Sequence, residues 1–124
     1  VIPLLVEFGA EPMPMPRASQ NAKGRTFLSH AYRSYREALS WEMLAARQKA
    51  GYPDPFEFAV ELMLTFHRST RTRVDGDNLE KAVLDAGTGV LWADDSLVYR
   101  VCWEKVLGAP VAGTAIRVQA MEGA

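Results

Sequence analysis

Apolar and polar residues alternate strictly from Phe56 to Arg68. Phe56, Phe58, Val60, Leu62, Leu64 and Phe66 fall on one side, and Glu57, Ala59, Glu61, Met63, Thr65 and His67 on the other. A period of two over that length predicts a strand with one buried face. From about Thr26 to Ala50 the period lengthens. Leu28, Tyr32, Tyr35, Leu39, Met43 and Ala46 recur every three or four residues, as on an amphipathic helix, and Gly51, Pro53 and Pro55 stop it. Residues 2–8 predict a short first strand. Residues 9–25 hold Gly9, Pro12, Pro14, Pro16 and Gly24 with little periodicity and predict a long loop. Asn78 to about Ala86 predicts a second helix that buries Leu79, Ala82, Val83 and Ala86, with Gly87 and Gly89 at its end. Leu97 to Val106 predicts a strand, Gly108 to Gly113 a turn, and Thr114 to Met121 a last strand. The order is β-α-β-α-β-β. It predicts a two-layer α+β fold with helices packed on one face of a mixed sheet. With no repeat or linker, residues 1–124 are expected to form a single domain.

Composition narrows the class. The chain has 124 residues, 48% hydrophobic and 23% charged, ordinary values for a folded domain. No apolar run approaches the ~18 residues of a membrane span. The single Cys102 cannot form an internal disulfide. The segment Val1-Ile2-Pro3-Leu4-Leu5-Val6 has no basic region or cleavage site, so a cytoplasmic location is expected. Net charge is −1, but it is unevenly spread. Between Pro12 and Arg36 stand five basic residues (Arg17, Lys23, Arg25, Arg33, Arg36) and no acidic one; Arg68, Arg71 and Arg73 form a second basic knot. From Asp75 to Asp95 six acidic residues face one Lys81. That split suits a polyanionic partner if the acidic segment holds metal ions, and equally a mixed solvated surface.

The acidic stretch is the most informative. Asp75 and Asp77 lie where a basic loop passes into a helix, and two carboxylates one residue apart can converge on one cation, with Gly76 letting the backbone bend. Asp94-Asp95 follows the second helix, and Asp95 is expected beside Asp75 and Asp77. Mg²⁺ takes a few carboxylates and keeps water and phosphate oxygens. The same residues fit a structural role. Asp77 with Glu80 reads as a capping box, Asp75-Gly76 and Asp94-Asp95 as turns, and Asp77–Lys81–Asp85 as a surface ladder of about 0.2–0.5 kcal/mol per pair. In the functional reading the Lys81 ammonium offsets charge gathering on a phosphate.

The run Asp75-Gly76-Asp77-Asn78-Leu79-x-Lys81-Ala82-x-x-Asp85-Ala86, then a glycine turn, then Trp92-x-Asp94-Asp95-x-x-Val98, resembles the core of the RusA-type Holliday junction resolvases. Upstream, Pro12-x-Pro14-x-Pro16-Arg17, Gly24-Arg25-Thr26 and the Tyr-containing helix resemble the same family, so the likeness covers roughly residues 5 to 120. Met13 and Met15 stand where many members carry a basic residue. The resemblance implies a Mg²⁺-dependent homodimeric endonuclease, often prophage-encoded, that cuts four-way DNA junctions with paired nicks and leaves 5′-phosphate and 3′-hydroxyl ends. It places metal-binding aspartates at Asp75, Asp77 and Asp95 and the catalytic lysine at Lys81, with Asn78 and Asp94 in support. Mn²⁺ is expected to substitute, and no organic cofactor or membrane partner is expected.

DNA contacts are expected from Arg17, Lys23, Arg25, Arg68, Arg71 and Arg73, mostly to phosphates. His30 and His67 do not have zinc spacing with Cys102, which is expected as a small core residue, and the three Trp residues are expected to pack. Two other classes fit: a branched-DNA-binding protein that does not cut, and a structural domain whose aspartates only cap. A flap or fork endonuclease would use the same chemistry.

Overall fold

A computed structural model describes residues 3–16, 19–20, 26–27 and 29–121. The elements are β1 (Leu4–Phe8), β2 (Ser19–Gln20), β3 (Thr26–Phe27), α1 (His30–Lys49), β4 (Val60–Arg68), α2 (Gly76–Gly87), a 3₁₀ turn (Asp95–Leu97), β5 (Val98–Leu107) and β6 (Gly113–Ala120). The expected β-α-β-α-β-β order holds, but α1 begins at His30 and not at about Thr26; Thr26–Phe27 pairs antiparallel with Ser19–Gln20 instead, adding β2 and β3.

Four strands form one sheet in the order β1-β6-β4-β5. β6 pairs antiparallel with both β1 and β4, whereas β4 and β5 are parallel. Parallel neighbours need a crossover, and α2 supplies it. The helix therefore starts near the finishing end of β4 and delivers the chain to the starting end of β5. β5 itself is an edge strand of ten residues.

The period-two pattern sets the packing. Val60, Leu62, Leu64 and Phe66 are buried, as are Leu4, Val6, Ile116 and Val118 on the neighbouring strands. Tyr32, Tyr35, Leu39 and Met43 face them from α1, and Leu79, Ala82, Val83 and Ala86 from α2. Burying each large side chain contributes about 1.5–3 kcal/mol. Both helices lie on this one face. Across the sheet Leu5 and Met63 are 65% and 53% exposed. Cys102 shares a register position with Met63 and is exposed too, which corrects its expected place in the core. No helix covers that side among the described residues.

Ser29 caps α1, its Oγ accepting from Tyr32 N at 3.1 Å. At the other end Arg47 is buried, and its guanidinium donates to the carbonyls of Tyr52, Val90 and Pro53 at 3.2, 2.7 and 2.9 Å. The three tryptophans differ. Trp92 is wholly buried beneath Gly87, Trp103 reaches Gly76, and Trp41 is 64% exposed, so packing describes only the first two. No helix among the described residues is long and apolar enough to cross a membrane.

Candidate active site

Polar chemistry gathers at the first turn of α2. Asp75, not Asp77, is the N-cap: its Oδ1 accepts from Asp77 N at 2.9 Å and its Oδ2 from Asn78 Nδ2 at 3.3 Å. The helix thus begins two residues earlier than the sequence pattern suggests, and the Asp77–Glu80 capping box is replaced. The cause is Gly76. It lies in the helix with no positive φ, so a backbone bend is not its contribution. A Cβ there would run into the Trp103 indole, so only glycine lets the first turn settle on that ring. With its own carboxylate serving as the cap, Asp75 is held and Asp77 is left free of that duty.

Asp75, Asp77 and Lys81 are exposed. None of the three has an oppositely charged group within 4.0 Å among the described residues. The surface ladder expected from Asp77, Lys81 and Asp85 does not form. Asp85 turns instead to α1, accepting from Tyr32 Oη at 2.9 Å and Arg36 Nη1 at 3.1 Å. Glu80, next along the helix, has its carboxyl pKa raised, first by desolvation and then by the charge of Asp77, with Lys81 opposing.

Arg73, Val74, Asp75, Gly76, Asp77, Trp103 and Lys105 line an open cleft of about 450 Å³. Lys105 was not among the residues expected from sequence. It is half-buried, and its Nζ donates to Val74 O at 2.8 Å and lies 5.8 Å from the centre of the Trp103 ring. One signal could have found it: on an alternating strand Lys105 shares a face with Trp103, so a lysine points toward the helices. The proline loop also reaches this end, with Met15 N donating to Asn78 O at 2.9 Å.

Asp94 and Asp95 lie elsewhere. Asp94 caps the 3₁₀ turn, accepting from Ser96 N at 3.4 Å, and hydrogen bonds from Ser96 and then from Asp95 hold its carboxyl below the usual range. Ala93 N donates to Phe56 O, which fixes this segment at the starting end of β4 and β5. The cleft is near the other end, since Val74 meets Lys105. At ~3.3 Å per residue, the strand between Val98 and Lys105 covers roughly 20 Å. No three acidic, His or Cys side chains are placed to hold one ion among the described residues. The expectation that Asp95 joins Asp75 and Asp77 within one chain is therefore corrected: α2 runs away from the Asp75 end and does not return to it.

The expected DNA-binding set divides. Arg17, Lys23 and Arg25 lie outside the residues whose side chains are described. Arg68 is tied down, its Nη1 donating to Pro12 O at 2.7 Å and its Nε 3.8 Å from Glu11, so its main contacts are internal. Arg71 is exposed beside Gly108, and Arg73 is exposed at the cleft.

A cleft that sets two carboxylates beside Arg73 and Lys105 suits a nuclease, and comparison with known proteins places the chain in that class. A family model described as Endodeoxyribonuclease RusA matches residues 9–119. A curated relative from Escherichia coli O139:H28 (strain E24377A / ETEC), named Crossover junction endodeoxyribonuclease RusA, is 35% identical over 88 residues, 68% of this chain and 70% of the relative. The chain belongs to the RusA endodeoxyribonuclease family.

Proposed function

We propose that this endonuclease uses Mg²⁺ to resolve four-way DNA junctions, acting as a homodimer that makes two symmetric nicks. The observation that carries the reading is the cleft. Two carboxylates, Asp75 and Asp77, stand one residue apart at a helix start, free of cationic partners among the described residues and flanked by Arg73 and Lys105. Asp75 and Asp77 fit a hard ion that takes one or two carboxylates and keeps its water. When bound, such an ion supplies Lewis acidity toward a phosphodiester.

The protein's own residues do the rest. Asp75 is oriented by its hydrogen bonds from Asp77 N and Asn78. Lys81, one helical turn beyond Asp77, brings a positive charge to the group whose negative charge grows as water adds to phosphorus. The P–O3′ bond breaks, the oxygen leaves as a 3′-hydroxyl after taking a proton, and the phosphate stays on the 5′ end. Arg71 and Arg73, with Arg17, Lys23 and Arg25 of the proline loop, bind backbone phosphates, which gives salt-dependent affinity rather than sequence readout. A four-way junction has near two-fold symmetry, and a two-fold dimer presents two matched sites to it.

The test is cleavage of synthetic four-way, forked and linear DNA with and without Mg²⁺, by the parent protein and by Asp77→Asn. Expected are paired nicks in the four-way junction only with the metal, and binding without cutting by the variant. Cutting by Asp77→Asn at the parental rate, or equal cutting of linear duplex, overturns the reading.

A further inference from the structure

The segment Glu11-Pro12-Met13-Pro14-Met15-Pro16 leads from β1 toward the residues that include Arg17, Lys23 and Arg25. Every second residue in it is a proline. Each proline fixes its own φ and holds the residue before it extended, so the segment is a stiff strap. Prolines also lack an N–H, which leaves Met13 and Met15 as the amide donors between residues 12 and 16. Met15 uses its amide on α2, donating to Asn78 O at 2.9 Å. The Asn78 side chain in turn donates to Asp75. The far end of the strap therefore rests on the first turn of α2, beside the residue that follows Asp77.

Arg68 holds the near end. β1 and β4 both run antiparallel to β6, so they finish at the same end of the sheet. There the Arg68 side chain, only 14% exposed, donates from Nη1 to Pro12 O at 2.7 Å, and its Nε lies 3.8 Å from the Glu11 carboxylate. That carboxylate also accepts from Ser69 N, at 3.1 Å from Oε1. Pro12 is buried, and Met13 and Met15 pack against the core. Arg68 thus turns its charge inward, onto the strap.

We propose that Arg68 is a positioning residue: with Glu11 it clamps the strap, and through Met15 and Asn78 the clamp fixes the basic segment beyond Pro16 relative to Asp75 and Asp77. Its part in cleavage rests on the junction-nuclease reading above; the clamp itself does not. A stiff strap held at one end swings as a lever. Phosphates gripped by the segment beyond it would then reach the cleft in many placements, few of them productive. Held at both ends, the same contacts deliver the scissile phosphate to one place. Met13 and Met15 suit this task, because thioether side chains fill uneven gaps against a core.

Glu11→Ala and Arg68→Gln separate a clamp from a phosphate contact. If charge alone mattered, removing the Glu11 carboxylate would free Arg68 for DNA and speed cleavage. The clamp predicts the reverse. In single-turnover cleavage of a four-way junction with Mg²⁺ and saturating protein, both variants should cut roughly tenfold or more slowly. Neither should change the slope of log affinity against log salt, measured without Mg²⁺, whereas loss of one phosphate contact lowers that slope by ~0.9. The double variant should be little slower than either single one, since the same clamp is lost in each. Hydrogen exchange at the Met15 amide should quicken in both variants. Parental cutting by Glu11→Ala, a salt slope lowered by about one in Arg68→Gln, or Met15 exchange as slow as in the parent overturns the proposal. So does a cleavage rate that falls only in step with the folded fraction seen in urea. A parent that cuts no junction overturns the nuclease reading and with it the clamp's part in cleavage, while Met15 exchange still decides the clamp itself.

Discussion

The indole of Trp103 occupies the space that a side chain at residue 76 would need. This one relationship ties the edge strand to the first turn of α2 and so sets where Asp75 and Asp77 stand. Gly76→Ala is expected to shift that turn rather than unfold the protein. Overpacking of this kind costs about 1–3 kcal/mol, and a displacement near 1 Å at a reacting centre can cost about 100-fold in rate. Junction cleavage should therefore fall far more than thermal stability does. Adding Trp103→Leu should recover part of the lost cleavage by making room, whereas Trp103→Leu alone should cost activity. A double-mutant cycle on cleavage and on melting temperature checks both.

Asp75 has two duties that substitution can separate. As N-cap it accepts from Asp77 N, and losing a cap costs about 1 kcal/mol. Asparagine caps as well as aspartate but brings no charge to a cation. Asp75→Asn is thus expected to keep stability within a few tenths of a kcal/mol and abolish cleavage. Asp75→Ala should abolish cleavage and also lower stability by about 1 kcal/mol. Urea unfolding beside a junction-cleavage assay distinguishes the two variants.

The fold was legible because its signals are local. Val60, Leu62, Leu64 and Phe66 announce their own face, and Tyr32, Tyr35, Leu39 and Met43 announce theirs. Asp75 and Asp77 are both good caps, so local sequence does not choose the start of α2; Trp103, far along the chain, does. Alternation likewise puts Cys102 on one of two faces of β5 but does not say which face the helices cover. Asp95 illustrates the larger gap. Its spacing from Asp77 says nothing of direction, and a crossover helix carries the chain to the far end of the sheet. Lys105 lies ten residues past Asp95 and enters the cleft only because β5 runs back along α2.

Lys105 should matter to the cleft through the Val74 carbonyl. A hydrogen bond from a charged donor contributes about 1.5–3 kcal/mol when shielded, and less here because the side chain is only half-buried. Lys105→Met keeps the aliphatic stem against Trp103 and removes the donor. The expected result is a stability loss of about 1 kcal/mol with a clear fall in cleavage. Lys105→Arg should restore most of both. Equal cleavage by Lys105→Met and the parent would show that the Val74 contact is dispensable.

Tyr32 and Asp85 join α1 to α2 through a 2.9 Å hydrogen bond, and that bond makes stability sensitive to alkali. The Tyr32 phenol is pushed well above its usual value near 10, first by burial, then by its hydrogen bond to Asp85 and the charge of that carboxylate, with Arg36 opposing. The folded protein therefore keeps this proton where the unfolded chain releases it. The stabilisation is complete below about pH 10 and declines as pH rises from there toward the folded-state value. Tyr35 is also raised, chiefly by burial, and adds to the slope. Tyr32→Phe should lower stability at pH 8 by about 1 kcal/mol, the net worth of one hydrogen bond. It should also flatten the decline above pH 10. Urea midpoints at half-unit steps from pH 8 to about pH 11 measure both effects, and parallel curves for the two proteins would refute the assignment to Tyr32.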